Sequence, residues 1–223
     1  MHPYLEERTI AGLHASLEYE IAGLSRTTSV LDLGCGSGAW LERLIRLGFQ
    51  NCWGVDAGPV PAVERLNFIR ANLDREQPQI AHGKFGLITS IEVIEHLENP
   101  GAVLSLISNH LADDGLALIT SPNMHSLRCR LKFLLTGLLA SFDEKGDPTH
   151  ITPLFLPGFR KISARYGLAI ERCWTYPPSR SLIFGAPIRG LASLLRPFLE
   201  DPLPGDTLCL ILRRSSTNLR SPE

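Results

Sequence analysis

Residues 90–100 read SIEVIEHLENP and place two carboxylates and an imidazole, Glu92, Glu95 and His96, directly after an apolar run. If the chain enters a helical turn there, the three stand at i, i+3 and i+4 and share one face. Two like charges at that range repel, so a cation or a shared proton is expected between them. Three readings fit these residue types. They are a divalent metal site, a metal-free acid/base group with His96 and Glu95 as its catalytic members, and acids that simply favour a helix start beside a hydrogen-bonded histidine.

A second constellation lies upstream. VLDLGCGSGAW sets Gly34, Gly36 and Gly38 between a strand and a helix, where missing side chains let the backbone turn sharply and a ligand approach closely. With Ala39 the motif also satisfies G-x-G-x-x-G/A, the nicotinamide-dinucleotide pattern, and Asp56 ends the next strand, where a ribose would be held. A tight turn with no ligand fits as well. Asp32, two residues before the first glycine, would face a ligand's positive charge, which suits an ammonium and a sulfonium better than a pyrophosphate.

The elements that must position these residues alternate. Leu5, Ile10, Leu13, Leu17 and Ile21 predict an amphipathic helix over residues 4–23. TSVLDL predicts a strand, and Leu41, Leu44, Ile45 and Leu47 a helix closed by Gly48. NCWGVDAG reads as a strand, PAVERLNFIRANL as a helix, KFGLITSIEV as a strand, and residues 99–123 as a helix followed by a strand. Such alternation implies a mostly parallel sheet covered on both faces. Further on, THITPLFLPGFRKISARYG reads as a loop and helix, LAIERCWTY as a strand, and DTLCLILRR as the last strand. Residues 1–223 are expected to form one domain, with helical insertions at about 124–148 and 177–204 on the acceptor side.

VLDLGCGSG, the acidic end of GVDAG, Asn72–Asp74 and EVIEHLENP occur in an order that resembles class I S-adenosylmethionine-dependent methyltransferases, and among them the ubiquinone-biosynthesis O-methyltransferase-like group. The resemblance covers residues 28–125 and, more loosely, 146–175. It implies a Rossmann-like α/β fold with a seven-stranded, mostly parallel sheet, an antiparallel last strand and helices on both faces. It also implies that Asp32, Gly34, Cys35, Gly36 and Gly38 belong to the cofactor site, with the glycine turn under the methionine portion. Asp56 would bond the ribose, with Ala57 beside it, and Leu73 and Asp74 would meet the adenine. Ser90 and Ile91 complete the implied cofactor set. One position departs from the pattern, because relatives usually carry an acid where this chain has Gly86.

The E-x-x-E-H spacing is similar to the metal site of ubiquinone-type O-methyltransferases and of small-RNA enzymes that methylate a terminal 2′-hydroxyl. By that likeness Glu92, Glu95 and His96 would hold magnesium or manganese together with a distant histidine. The candidate is His150 in GDPTHITP, with His125 in SPNMHS as reserve. Imidazole in the donor set tilts the choice towards manganese, iron or zinc.

Composition narrows the acceptor. A net charge of -1, from 22 basic and 23 acidic residues, offers no field that would draw nucleic acid, so an RNA end ranks behind a small or lipid-like hydroxyl compound. A non-catalytic domain that binds a cofactor, nicotinamide or S-adenosylmethionine, is the alternative from another class. The five cysteines lack CxxC spacing, the first ten residues show no targeting pattern, and no apolar run is long enough to span a bilayer, so a cytoplasmic protein is expected. LRCRLKFLLTGLLASF, with Leu131, Phe133, Leu134, Leu135, Leu138 and Leu139, reads as a lid over a greasy acceptor, a peripheral membrane contact beside Arg128, Arg130 and Lys132, or a helix packed on the core.

Overall fold

The computed structural model describes residues 5–178 and 204–215. Helix α1 (Leu13–Ile21) buries Leu13, Leu17 and Ile21, and Gly12, at φ 83°, starts it. The helix is shorter than its periodicity predicts. Residues 5–8 are irregular, and this segment is held by tertiary contacts, with Ser37 donating to the Glu6 carbonyl and Arg43 pairing with Glu7.

The chain then builds β1 (Ser29–Leu33), α2 (Ala39–Arg46), β2 (Asn51–Asp56), β3 (Leu66–Arg70), β4 (Phe85–Ile91), α3 (Pro100–His110), β5 (Leu111–Pro122), α4 (Leu127–Thr136), α5 (Leu156–Arg165), β6 (Leu168–Tyr176) and β7 (Thr207–Arg214). The seven strands form one sheet in the order β3-β2-β1-β4-β5-β7-β6. β1 to β5 run parallel, while β7 lies antiparallel between β5 and β6. The order reverses at β1, where β2 and β4 flank it, and ligands of open α/β sheets bind beyond the strand ends at such a switch.

Two apolar layers clamp the sheet. One centres on Leu31, Leu33, Ile88, Leu104 and Ile107, the other on Leu17, Ile21, Leu41, Leu44 and Leu118. Strands β1 and β4 are buried nearly end to end, as parallel strands covered on both faces must be.

Residues 61–73 depart from expectation. Val63, Leu66, Ile69 and Leu73 are spaced like a helical stripe, yet residues 66–70 form the edge strand β3, paired residue for residue with Cys52–Asp56. Arg65 takes a left-handed backbone, φ 62°, immediately before the strand. The ladder to β2 satisfies β3's peptide groups on one side, and this tertiary gain outweighs the local period. At Gly86 a Cβ would stand 2.6 Å from Thr28 Cγ2, and the β4–β5 register shifts between Phe85 and Leu87, so a side chain here would displace Thr28.

The insertion expected at about 124–148 contains α4 and a loop packed on Met124 and Cys129. The one expected at 177–204 lies, save Pro177, Pro178 and Pro204, outside the described residues. Among the described residues no helix is long and apolar enough to cross a membrane.

Candidate active site

The glycine turn leaves β1 at the switch. The N–H groups of Gly34 and Cys35 both donate to the Val55 carbonyl (2.8 and 3.1 Å), which fastens the turn to β2. Gly34 has φ 79°, and a Cβ there would meet Val93 Cγ2 at 2.5 Å, so glycine is required by conformation and by space. Gly36, at φ 50°, differs: a Cβ would meet nothing within 4 Å, so the backbone borders open volume. That volume is a cleft of about 820 Å³.

Asp32, Gly34, Cys35, Gly36, Asp56, Ala57, Leu73 and Ile91 line the cleft, as do Glu92, His96 and His150. Three expected cofactor residues stand elsewhere. Gly38 caps α2, where a Cβ would strike Val63 and Pro61, and Ser90 is sealed within β4. Asp74 lines a smaller neighbouring pocket with Arg75 and Tyr166, and its Oδ1 accepts the Asn99 N–H (3.2 Å). Asp56 braces both turns, with Oδ2 accepting the Gly36 N–H (2.8 Å) and Oδ1 the Gly58 N–H (2.7 Å).

Sequence reasoning missed the cover of the cleft. Glu6 to Ile10, His14 and Trp40 line it. Arg43 secures this segment by pairing with Glu7 (2.6 Å) and with Glu18 of α1. Buried His14 brings Nδ1 within 3.5 Å of Glu7 Oε1 without a well-formed hydrogen bond, and burial lowers its pKa. EERT was the available signal, four polar residues ahead of an apolar helix, but its docking depends on residues far along the chain.

Asp32 is 3% exposed and accepts a hydrogen bond from the Thr89 hydroxyl (2.6 Å). Burial pushes its pKa up to about 7, against the opposing pull of that bond, and nearby Asp56 adds to the rise. A buried carboxylate of this kind is stabilised by a cationic ligand.

Beyond β4 the expected helical face is only partly realised. Glu92 has φ 53°, and a single 3-10 turn spans Ile94–His96. The left-handed residue breaks the helical phase, so Glu92 does not join Glu95 and His96 on one face. Its Oε1 accepts from the Thr120 hydroxyl (3.0 Å), and burial raises its pKa to about 7. Glu95, His96 and His150 do converge, with a ligand atom of each within 4.8 Å of the others. Glu95 is fully buried and neither carboxylate oxygen has a hydrogen-bond partner. Burial, and then the charge of Glu92, drive its pKa well above the usual carboxylate range, against the pull of its own backbone N–H and of the Ser121 hydroxyl, neither of which reaches hydrogen-bond geometry with it. His96 is shifted down by burial and by His150. His125, the reserve ligand, is committed elsewhere, since its Nε2 accepts the Leu156 N–H (2.9 Å) at the start of α5.

An orphaned buried carboxylate beside two imidazoles is a donor set that fits a divalent cation. With the glycine turn at a sheet switch point and a buried acid beneath it, the fold and cleft define the class of Rossmann-like α/β domains that bind a cofactor at the strand ends. A family model described as a methyltransferase domain matches residues 4–172, and the chain belongs to that family. It is 32% identical over 103 residues to a ubiquinone biosynthesis O-methyltransferase of Nitrosococcus oceani, covering 42% of this chain and 43% of the relative. Its identity to the enzyme of that name in Pseudomonas aeruginosa is 30% over 113 residues, covering 47% and 48%. The chain thus spans about half the length of the curated relatives it matches. Among solved structures, a SAM-dependent methyltransferase from Archaeoglobus fulgidus superposes with a TM-score of 0.66 at 18% identity over 91% of this chain and 93% of that one. The CcbJ methyltransferase from Streptomyces caelestis does so at 0.60 and 13%, over 93% and 91%. These likenesses concern the fold.

Proposed function

We propose that the chain transfers a methyl group from S-adenosylmethionine to the hydroxyl of a small or lipid-like acceptor, with a divalent cation, magnesium or manganese, held by Glu95, His96 and His150. The observation that carries this reading is the convergence of an unpartnered buried carboxylate and two imidazoles beside the glycine-turn cleft. The family membership and the relatives named as ubiquinone O-methyltransferases support the acceptor class. So do the exposed apolar side chains of Leu134, Leu135 and Phe133 on α4 and of Ile151, next to His150.

The division of labour follows from the geometry. Asp32 would face the positive charge of the donor, and the glycine turn at Gly34–Gly36, which leaves open volume above Gly36, would lie under its methionine portion. The donor's sulfonium is already activated, so the protein must align an acceptor oxygen in line and exclude water. As that oxygen takes the methyl group, the sulfonium keeps the electron pair of the broken bond and becomes the neutral thioether of S-adenosylhomocysteine. The acceptor's proton must leave. A bound cation lowers the pKa of a coordinated hydroxyl. With the cation bound, the His96 lone pair is taken up by it and the proton would leave to water in the open cleft; without a cation, His96, whose pKa burial lowers, would be the base that takes it.

Purified protein is incubated with methyl-labelled S-adenosylmethionine and a panel of catechols, phenols and isoprenoid-tailed phenols, with and without manganese. Label appearing in an ether product, and lost in His96→Ala, is the expected result. Label on nitrogen or carbon acceptors alone, or none despite tight S-adenosylhomocysteine binding, overturns the hydroxyl-acceptor reading.

A further inference from the structure

Neither ring of the cluster is free to choose its tautomer. The loop before α5 supplies Asp147 and Thr149, both lining the cleft beside His96 and His150. Asp147 Oδ1 accepts two hydrogen bonds from Thr149, one from its backbone N–H (2.8 Å) and one from its hydroxyl (2.5 Å). A hydroxyl has a single proton, so once it is given to Asp147 the Thr149 oxygen can only accept. The atom 2.8 Å away is His96 Nδ1, and the Thr149 carbonyl, an obligate acceptor, stands 3.3 Å from the same nitrogen. Both oxygens require a proton on His96 Nδ1. In a neutral imidazole this leaves the lone pair on Nε2.

His150 is fixed the same way from another direction. Its Nδ1 lies 2.9 Å from the Ser141 carbonyl, which can only accept, so its lone pair is also on Nε2. Ser141 holds a left-handed backbone, φ 69°, a conformation that non-glycine residues keep only where the surroundings hold it. The two rings meet edge to face, with centroids 4.7 Å apart.

We propose that Thr149, locked by Asp147, is a positioning residue that fixes His96 as the Nδ1–H tautomer and so presents Nε2 as the electron-pair donor of the Glu95–His96–His150 cluster. The use of that lone pair rests on the function proposed above, but the tautomer does not. Thr149 lines the cleft, but its hydroxyl is taken up by Asp147 and His96, so it acts through His96. Nothing in the residue types of GDPTHITP announces this, because a Thr between a Pro and a His is an ordinary loop residue until the fold brings it to residue 96.

The test uses the full chain labelled with 15N-histidine, with the His96 signals assigned by their absence in His96→Gln. Expected is a protonated Nδ1 and a bare Nε2 in the wild type, the same pattern in Thr149→Ser, and a measurable share of the Nε2–H tautomer in Thr149→Val, where only the longer carbonyl contact at 3.3 Å is left. Cooperative thermal unfolding and an unchanged circular-dichroism spectrum in all three show that the fold is intact. A bare Nδ1 in the wild type, or an unchanged pattern in Thr149→Val, overturns the proposal. Manganese titration then separates the two readings. With the cation reading correct, Thr149→Val binds manganese about 10–100-fold more weakly than wild type and Thr149→Ser. If the tautomer responds but the wild type binds no manganese, the positioning role stands and the cation reading falls; equal manganese affinity in wild type and Thr149→Val overturns the positioning role.

Discussion

Asp32→Asn offers a quantitative test of the electrostatics beneath the glycine turn. The carboxyl is fully buried, and its pKa rises from 3.8 to about 7 on folding. A group whose folded pKa is raised binds more protons when folded, so stability is lost as pH climbs from the unfolded value through the folded one. Below about pH 4 both states are protonated and the folded protein bears no cost; above about pH 7 it bears the full difference, roughly 4 kcal/mol at 1.36 kcal/mol per unit. Between about pH 5 and pH 8 the two-state expression gives a loss of about 2–3 kcal/mol assignable to Asp32. Asparagine keeps the shape and can accept from the Thr89 hydroxyl, but it does not titrate. Urea unfolding of both proteins at the two pH values isolates the term, because Glu92 and Glu95 titrate in each and cancel. Expected is a variant that gains about 2–3 kcal/mol on wild type as pH rises, whatever its constant offset, while its affinity for S-adenosylmethionine falls. A stability difference that does not change with pH refutes the assignment of Asp32 as a buried acid waiting for a cation.

Other outcomes follow from single contacts. Gly36→Ala should cost only about 1–2 kcal/mol of stability, the price of a left-handed backbone, yet weaken cofactor binding, because its methyl enters open cleft. Gly34→Ala should cost more in thermal unfolding, since its Cβ would strike Val93 at 2.5 Å. His125→Ala removes the acceptor for the Leu156 N–H and should lower stability by about 1 kcal/mol in urea while leaving manganese affinity unchanged; lost manganese binding in a folded variant would return His125 to the ligand set.

Legibility in the sequence depended on how local each determinant was. The β1–glycine turn–α2 unit was readable because an apolar run, three glycines and an amphipathic helix follow one another within about twenty residues, and the structure places Asp32, Gly34, Gly36 and Asp56 at one cleft. Strand β3 was not, because its apolar spacing imitates a helix and only the ladder to β2 decides. The order of Glu92, Glu95 and His96 suggested one face, but a left-handed backbone at Glu92 turned its carboxylate to Thr120, and no propensity foretells that. His150 could be nominated from its type. What sets its place beside Glu95 and His96, the Ser141 carbonyl on His150 and the Thr149 hydroxyl on His96, and likewise the cover formed by Glu6 to Ile10, are contacts that only the fold creates.

The central claim is that Glu95, His96 and His150 hold a cation beside the methyl donor. Its most direct test is calorimetric titration of manganese into the protein saturated with S-adenosylhomocysteine, compared with Glu95→Gln, which keeps the buried shape and removes the charge. One site per chain in the wild type, lost in the variant with S-adenosylhomocysteine affinity unchanged, is the predicted result. Absence of a manganese site in the wild type, or a site that survives Glu95→Gln unchanged, contradicts the account.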